Sequence, residues 1–216
     1  MANEIFKLIS SNEHQQLRNI LADNPNLANE GVALGNNNNS KKGHPLHRLC
    51  DAVFAKKITD EQAIEIAKIF LEFGANIDGY KSSGDNNTPL IAAASLHAEK
   101  LGIFYIEQGA DIFYAAPGDG ATALHWAAFC GRDKLTEKLI GKGADINQQD
   151  TTYNGTPADW AIHVLISKDT GNLHHQLNCI KALLKTGTDK GLLDPGSIQY
   201  LQFAAENDLE LAALIK

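Results

Sequence analysis

Thr122-Ala123-Leu124-His125-Trp126-Ala127-Ala128, then Gly131, then Gly143-Ala144-Asp145-Ile146-Asn147: this stretch decides the fold, because its words recur along the chain. Gly-Ala-Asn-Ile begins at Gly74, Gly-Ala-Asp-Ile begins at Gly109 and again at Gly143, and a worn Gly-Thr-Asp begins at Gly187. The other word recurs between them as His44-Pro45-Leu46-His47, Thr88-Pro89-Leu90 and Thr156-Pro157-Ala158. Thr88 to Thr122 is 34 residues and Thr122 to Thr156 is 34 again. Two independent words keeping the same phase are the signature of a repeat architecture.

Each word has a physical task. A threonine ahead of proline starts a helix: its hydroxyl caps free backbone N–H groups, and proline at the first helical position lacks a donor that would be orphaned anyway. The glycine supplies the left-handed residue that ends a helix. Between the words of the third copy lie two short apolar stripes, 123–130 and 133–142, joined by Gly131-Arg132, and after them a polar loop, 147–155. One such unit cannot bury its apolar face alone, so the copies must stack. Alanines at one phase (Ala92-Ala93-Ala94, Ala127-Ala128, Ala161) let neighbouring first helices approach closely.

On these residues the chain resembles the ankyrin-repeat family. The resemblance is strongest at 122–155 and good at 88–121, where Ile91 stands in the motif histidine's place; His44 stands for threonine in the first copy and Asp159 for histidine in the fourth. It implies an all-α solenoid of helix-turn-helix units with hairpin-like loops and helical caps at both ends. The expected division is an N-terminal cap and polar loop at 1–42, repeats at 43–87, 88–121, 122–155 and 156–190, and a C-terminal cap at 191–216. In the caps, Ile5, Leu8 and Ile9 make one stripe and Leu17, Ile20 and Leu21 a second, ended by Asn24-Pro25; two closing helices are read at 197–205 and 208–215. A terminal repeat with one polar face keeps a solenoid soluble.

The first and fourth copies depart from the period. Thr88 to Gly109 and Thr122 to Gly143 are 21 residues each, whereas His44 to Gly74 is 30 and Thr156 to Gly187 is 31. The extra residues fall near 52–61 and 165–177. They read either as longer helices with a longer turn, which loop-closure entropy tolerates, or as an extension of a binding surface. The 36–40 run of asparagines and a serine reads as a solvated linker.

The resemblance implies a non-catalytic scaffold that binds a partner protein through its concave face and loop tips. The tips at 79–87, 113–119 and 148–154 each carry a tyrosine, Tyr80, Tyr114 and Tyr153, a residue that offers large rigid contact area with a polar end; folding back onto the solenoid is the competing reading. By phase, the concave positions of the first helices are Asp51 and Ala52, Ser95 and Leu96, Phe129 and Cys130, and His163 and Val164. Leu96, Phe129 and Val164 would then form an apolar strip with a polar rim. Trp126 and Trp160 share a phase in adjacent repeats and read as core residues in contact with each other.

Composition narrows the classes. A hydrophobic share of 44% and a charged share of 21% are those of a globular protein. The net charge of −7, with no basic block beyond pairs such as Lys41-Lys42 and Lys56-Lys57, argues against nucleic acid as partner. Cys50, Cys130 and Cys179 are odd in number and lie in apolar runs, so they read as buried thiols in a reducing compartment. With no signal peptide and no apolar run of membrane length, the expectation is a cytoplasmic, monomeric protein without membrane contact, cofactor or metal. His174-His175 point apart on a helix and chelate poorly. His125, Asp159 and His163 are the remote catalytic alternative, lacking an evident nucleophile; in the resembled family the His125 position ties neighbouring repeats together. The nearer alternative is a dedicated inhibitor or immunity-type protein, acidic and neutralising a basic toxin or enzyme.

Overall fold

The computed structural model describes residues 2–33, 42–79, 87–167 and 173–216. The 36–40 linker, Tyr80 with most of its loop, and the middle of the 165–177 insertion lie outside the described residues. Twelve α-helices are present among those described, with one two-stranded antiparallel ribbon, β1 (Val32–Ala33) against β2 (Lys42–Gly43), in which Val32 faces Gly43. The fold is all-α in class, a solenoid of helical repeats, and the chain divides into two compact units, Met1–Asp111 and Ile112–Lys216.

In the first unit, α1 (Ala2–Ser11) and α2 (His14–Asp23) form the leading pair, followed by α3 (Pro45–Phe54) with α4 (Asp60–Glu72) and α5 (Pro89–Ser95) with α6 (Glu99–Glu107). First helices stack on first helices and second on second: α3 packs on α5, and α4 on α6. Ala92, Ala93 and Ala94 are buried at the α5 contact, as the alanine phase requires. Beneath them the Tyr105 hydroxyl donates to the Leu46 carbonyl at 2.8 Å, 59 residues away, so α6 is tied to α3 by a hydrogen bond as well as by apolar burial.

The second unit holds α7 (Ala123–Phe129) with α8 (Asp133–Gly141), α9 (Pro157–Ile166) with α10 (Leu173–Thr186), and α11 (Pro195–Ala205) with α12 (Leu209–Leu214). Here α7 packs on α9, α8 on α10, and α11 on α9. Gln176, buried on α10, donates to the carbonyls of Ala128 at 2.6 Å and Ala161 at 2.9 Å, joining the end of α7 to the middle of α9.

The repeat words perform their tasks. Thr59, Thr88, Thr122 and Thr156 each accept a hydrogen bond at the start of a helix, and at Thr59, Thr122 and Thr156 the third helical residue returns the bond as a capping box. His44 does the same work with Nδ1, accepting from the Leu46 N–H at 3.3 Å. Gly109 and Gly143 end their helices at φ +89° and +90° with open space where a Cβ would stand, so backbone conformation, not crowding, requires glycine there. Thr88 is buried, and Thr88→Ala is expected to lower stability by about 1 kcal/mol in thermal unfolding. An unchanged midpoint would mean that Pro89 alone starts α5.

A second set of bonds steps from loop to loop within each unit. The Asp111 N–H donates to Asp78 Oδ1 at 2.8 Å, and the Asp189 N–H donates to Asn147 Oδ1 at 2.8 Å. Each acceptor stands four places after a repeat glycine, and each donor two places after the next one. Asn29 plays the acceptor's part for the Asn76 N–H at 2.7 Å.

The extra residues of 52–61 lengthen both helices: α3 and α4 have 10 and 13 residues, α5 and α6 have 7 and 9. Likewise α9 and α10 have 10 and 14. The C-terminal pair departs from the polar outer face expected of a cap, since Phe203 is 65% and Leu209 92% exposed.

Candidate functional site

The second unit carries a groove of about 630 Å³ lined by Trp126, Phe129, Tyr153, Gly155, Asp159, Trp160, His163 and Asp194. Helical spacing makes it. Trp126 and Phe129 lie three apart on α7, as do Trp160 and His163 on α9, so each helix offers one face to the same space. The rings pack edge to face: Trp126 and Trp160 centroids are 5.3 Å apart, Phe129 and Trp160 5.8 Å, and Trp126 and Phe129 6.0 Å. Trp126 and Trp160 are half-buried, which corrects their expected place in the core: they touch as expected, but their indoles line the groove.

Asp150 holds this arrangement from behind. Its Oδ1 accepts from the N–H groups of Thr152 at 2.8 Å and Tyr153 at 2.7 Å, and its Oδ2 from the Gly155 N–H and the Trp160 indole Nε1, both at 2.9 Å. One carboxylate thus folds the 150–155 turn and orients the Trp160 ring. Burial pushes the Asp150 carboxyl up, but these donors outweigh it and hold its pKa below the usual carboxylate range. Asp150 went unremarked in the sequence, although an aspartate followed by Thr-Thr-Tyr-Asn-Gly is an Asx-turn signal.

His125 and Asp159 are engaged in structure. His125 is fully buried; its Nδ1 lies 2.9 Å from Thr122 Oγ1 in the cap, and its Nε2 donates to the Gly155 carbonyl at 3.2 Å, tying α7 to the start of α9. Burial lowers its pKa. Asp159 Oδ2 accepts from the Thr156 N–H and hydroxyl, and its Oδ1 from the Asp194 N–H at 3.0 Å, so the fourth cap also anchors the start of α11. Burial raises the Asp159 pKa. On α10, His175 meets Asp133 at 2.8 Å rather than turning toward His174.

Of the sequence-derived contact residues, the groove brings together Phe129, 36% exposed, Tyr153, 79% exposed, and His163. Tyr114 and Cys130 lie in the same unit, half-buried and outside the lining; burial raises the Cys130 thiol pKa despite the nearby Arg132. Ser95 and Leu96 lie half-buried at the end of α5 in the first unit. Val164 is corrected: it is 8% exposed, on a helix flanked by α7, α10 and α11, and belongs to the packing.

Comparison with known proteins accords with this architecture. A family model described as ankyrin repeats, in three copies, matches residues 55–150. Ankyrin repeat and SOCS box protein 6 of Mus musculus is 27% identical over 151 residues, and that of Homo sapiens is 26% identical over the same length. The match takes in 69% of this chain and 34% of the mouse protein, so the chain spans about a third of the length of these relatives. Among solved structures, the human ASB11 ankyrin repeat domain superimposes with a TM-score of 0.64 at 19% identity, covering 98% of this chain and 81% of that one, a likeness of fold. Repeat words, helix stacking and these matches agree: residues 55–150 match ankyrin repeats, and the whole chain is similar in fold to an ankyrin repeat domain.

Proposed function

We propose that the chain is a non-catalytic scaffold that binds a partner protein through the groove between α7 and α9 and the neighbouring 148–154 loop. Ankyrin repeats are protein–protein interaction modules. The observation that carries the finer reading is the groove itself: two indoles and a phenyl ring packed edge to face, with Phe129 and Tyr153 open to solvent at its margin. Aromatic residues in a fixed geometry are what interface hot spots are made of. The outlying candidates Ser95, Leu96, Tyr114 and Cys130 belong to the same proposal as secondary contacts. A dedicated inhibitor of a basic toxin or enzyme is the second reading, favoured by the net charge of −7.

The test is affinity capture with wild type and with Phe129→Ala/Tyr153→Ala, two exposed positions whose truncation spares the core. The double variant is expected to lose about 2 kcal/mol of binding, roughly thirtyfold in affinity, while its circular dichroism and unfolding midpoint stay unchanged. Equal capture of the same partner by both proteins would remove the groove from the reading and turn attention to the lengthened helices α3, α4, α9 and α10.

A further inference from the structure

The charge around the groove is one-sided. Asp159 and Asp194 line it and Asp150 stands behind Trp160; Asp150 and Asp159 are buried, at 2% and 5% exposure. Among the described residues every hydrogen-bond donor to these three carboxylates is neutral. Asp150 takes backbone N–H groups and the Trp160 indole; Asp159 takes Thr156 and the Asp194 N–H; Asp194 takes the Gly196 N–H and the Ser197 N–H and hydroxyl. Among the described residues no lysine or arginine forms an ion pair with any of them, whereas carboxylates elsewhere are paired with cations, as Asp51 is with Arg48 and Asp208 with Lys181. Buried carboxylates without a counter-ion project an unscreened negative potential into the adjoining low-dielectric space. The aromatic faces add to it with the same sign, because a ring's quadrupole places negative charge on its faces.

We propose that the groove receives a cationic side chain, lysine or arginine, carried on a segment of the partner protein; this rests on the groove being the docking surface. An apolar guest would gain ring contact alone, and an anionic one would be repelled. A cation gains ring contact, cation–π attraction and the field of Asp150, Asp159 and Asp194 together. The volume of about 630 Å³ is that of an ordinary binding cleft and exceeds what a single small group would need. The Nε1 bond to Asp150 fixes the Trp160 plane before the guest arrives, which reduces the ordering cost of binding.

The chain supplies its own reporter: it has two tryptophans, Trp126 and Trp160, and both line the groove. The experiment titrates the protein with short Gly/Ser peptides that differ only in a central lysine, arginine, norleucine or glutamate, following tryptophan fluorescence. The lysine and arginine peptides are expected to change the emission saturably and to bind roughly tenfold tighter than the norleucine peptide, with the glutamate peptide weakest. Asp194→Asn, which keeps a cap acceptor for α11 while removing a charge, is expected to weaken the lysine peptide about threefold and leave the norleucine peptide unchanged. If norleucine binds as well as lysine, the cation preference is wrong and the groove remains a docking surface. If no peptide alters the fluorescence, the inference fails whatever partner the capture experiment recovers. Equal capture of the same partner by wild type and the Phe129→Ala/Tyr153→Ala variant would instead remove the docking surface itself.

Discussion

Asp150→Ala is expected to lower the stability of the Ile112–Lys216 unit by about 3 kcal/mol and to leave the turn that carries Tyr153 unformed. Four donors lose their acceptor at once. Two of them, the N–H groups of Thr152 and Tyr153, lie toward solvent and recover much of the loss by bonding water. The Gly155 N–H is buried and the Trp160 indole N–H partly so, and each then bears an unsatisfied-donor cost of about 1–3 kcal/mol. Asp150→Asn should fall between, since its amide keeps one acceptor but turns a donor toward donors. Urea unfolding followed by tryptophan emission measures both. The effect has a pH signature. A carboxylate whose folded pKa is depressed stabilises above its unfolded value of about 3.9 and loses that contribution as pH falls through the folded value, so the wild-type advantage should shrink in acid. A loss under 0.5 kcal/mol would mean the turn is held by its other contacts.

The second large effect is a pH dependence centred on His44. Burial, with a smaller push from His47, lowers its pKa from 6.5 to about 4. Its ring is used neutral: Nδ1 accepts from Leu46 N–H as the cap of α3, and Nε2 meets Asn29 Oδ1 at 3.2 Å. Between pH 6.5 and 4 the unfolded chain therefore binds a proton that the folded chain refuses. Stability is complete above the higher value and falls as pH drops toward the lower one. At 1.36 kcal/mol per pKa unit the loss is about 3 kcal/mol over that window. His44→Thr, which installs the residue found at Thr88, Thr122 and Thr156, keeps a cap and removes the titration. Comparing the two proteins isolates His44, because His125, also lowered by burial, titrates in both. Parallel stability profiles from pH 7 to 4.5 would show that His44 is accommodated when charged.

The repeat was legible because both words are demanded by backbone chemistry: a helix start wants a hydroxyl acceptor and a helix end wants glycine. Those needs are local, so the sequence carries them in a readable place. The groove was legible in part, for a different reason. Helical phase places Phe129 and His163 along the groove, yet phase treats Val164 and the two tryptophans only by position. Which of them is covered depends on the neighbouring helices: α9 packs against α7, α10 and α11, Val164 is 8% exposed, and the two indoles stay half-buried along the groove. Asp150 was missed because its importance lies in four bonds to groups before and after it in a turn, a role that no spacing rule announces.

The loop-to-loop bonds through Asn29, Asp78 and Asn147 recur after helix pairs of quite different length: they close on the ends of α4, α6 and α10, which have 13, 9 and 14 residues. The loop side of a repeat therefore keeps step with its neighbour whatever happens at the opposite end. Helix length and loop register become independent variables, and mutation can lengthen the helical end of one repeat without retuning the next. Divergence in this chain should accordingly concentrate at the turns between paired helices, while Asp78 and Asn147, the acceptors four places after Gly74 and Gly143, tolerate only side chains that accept a hydrogen bond.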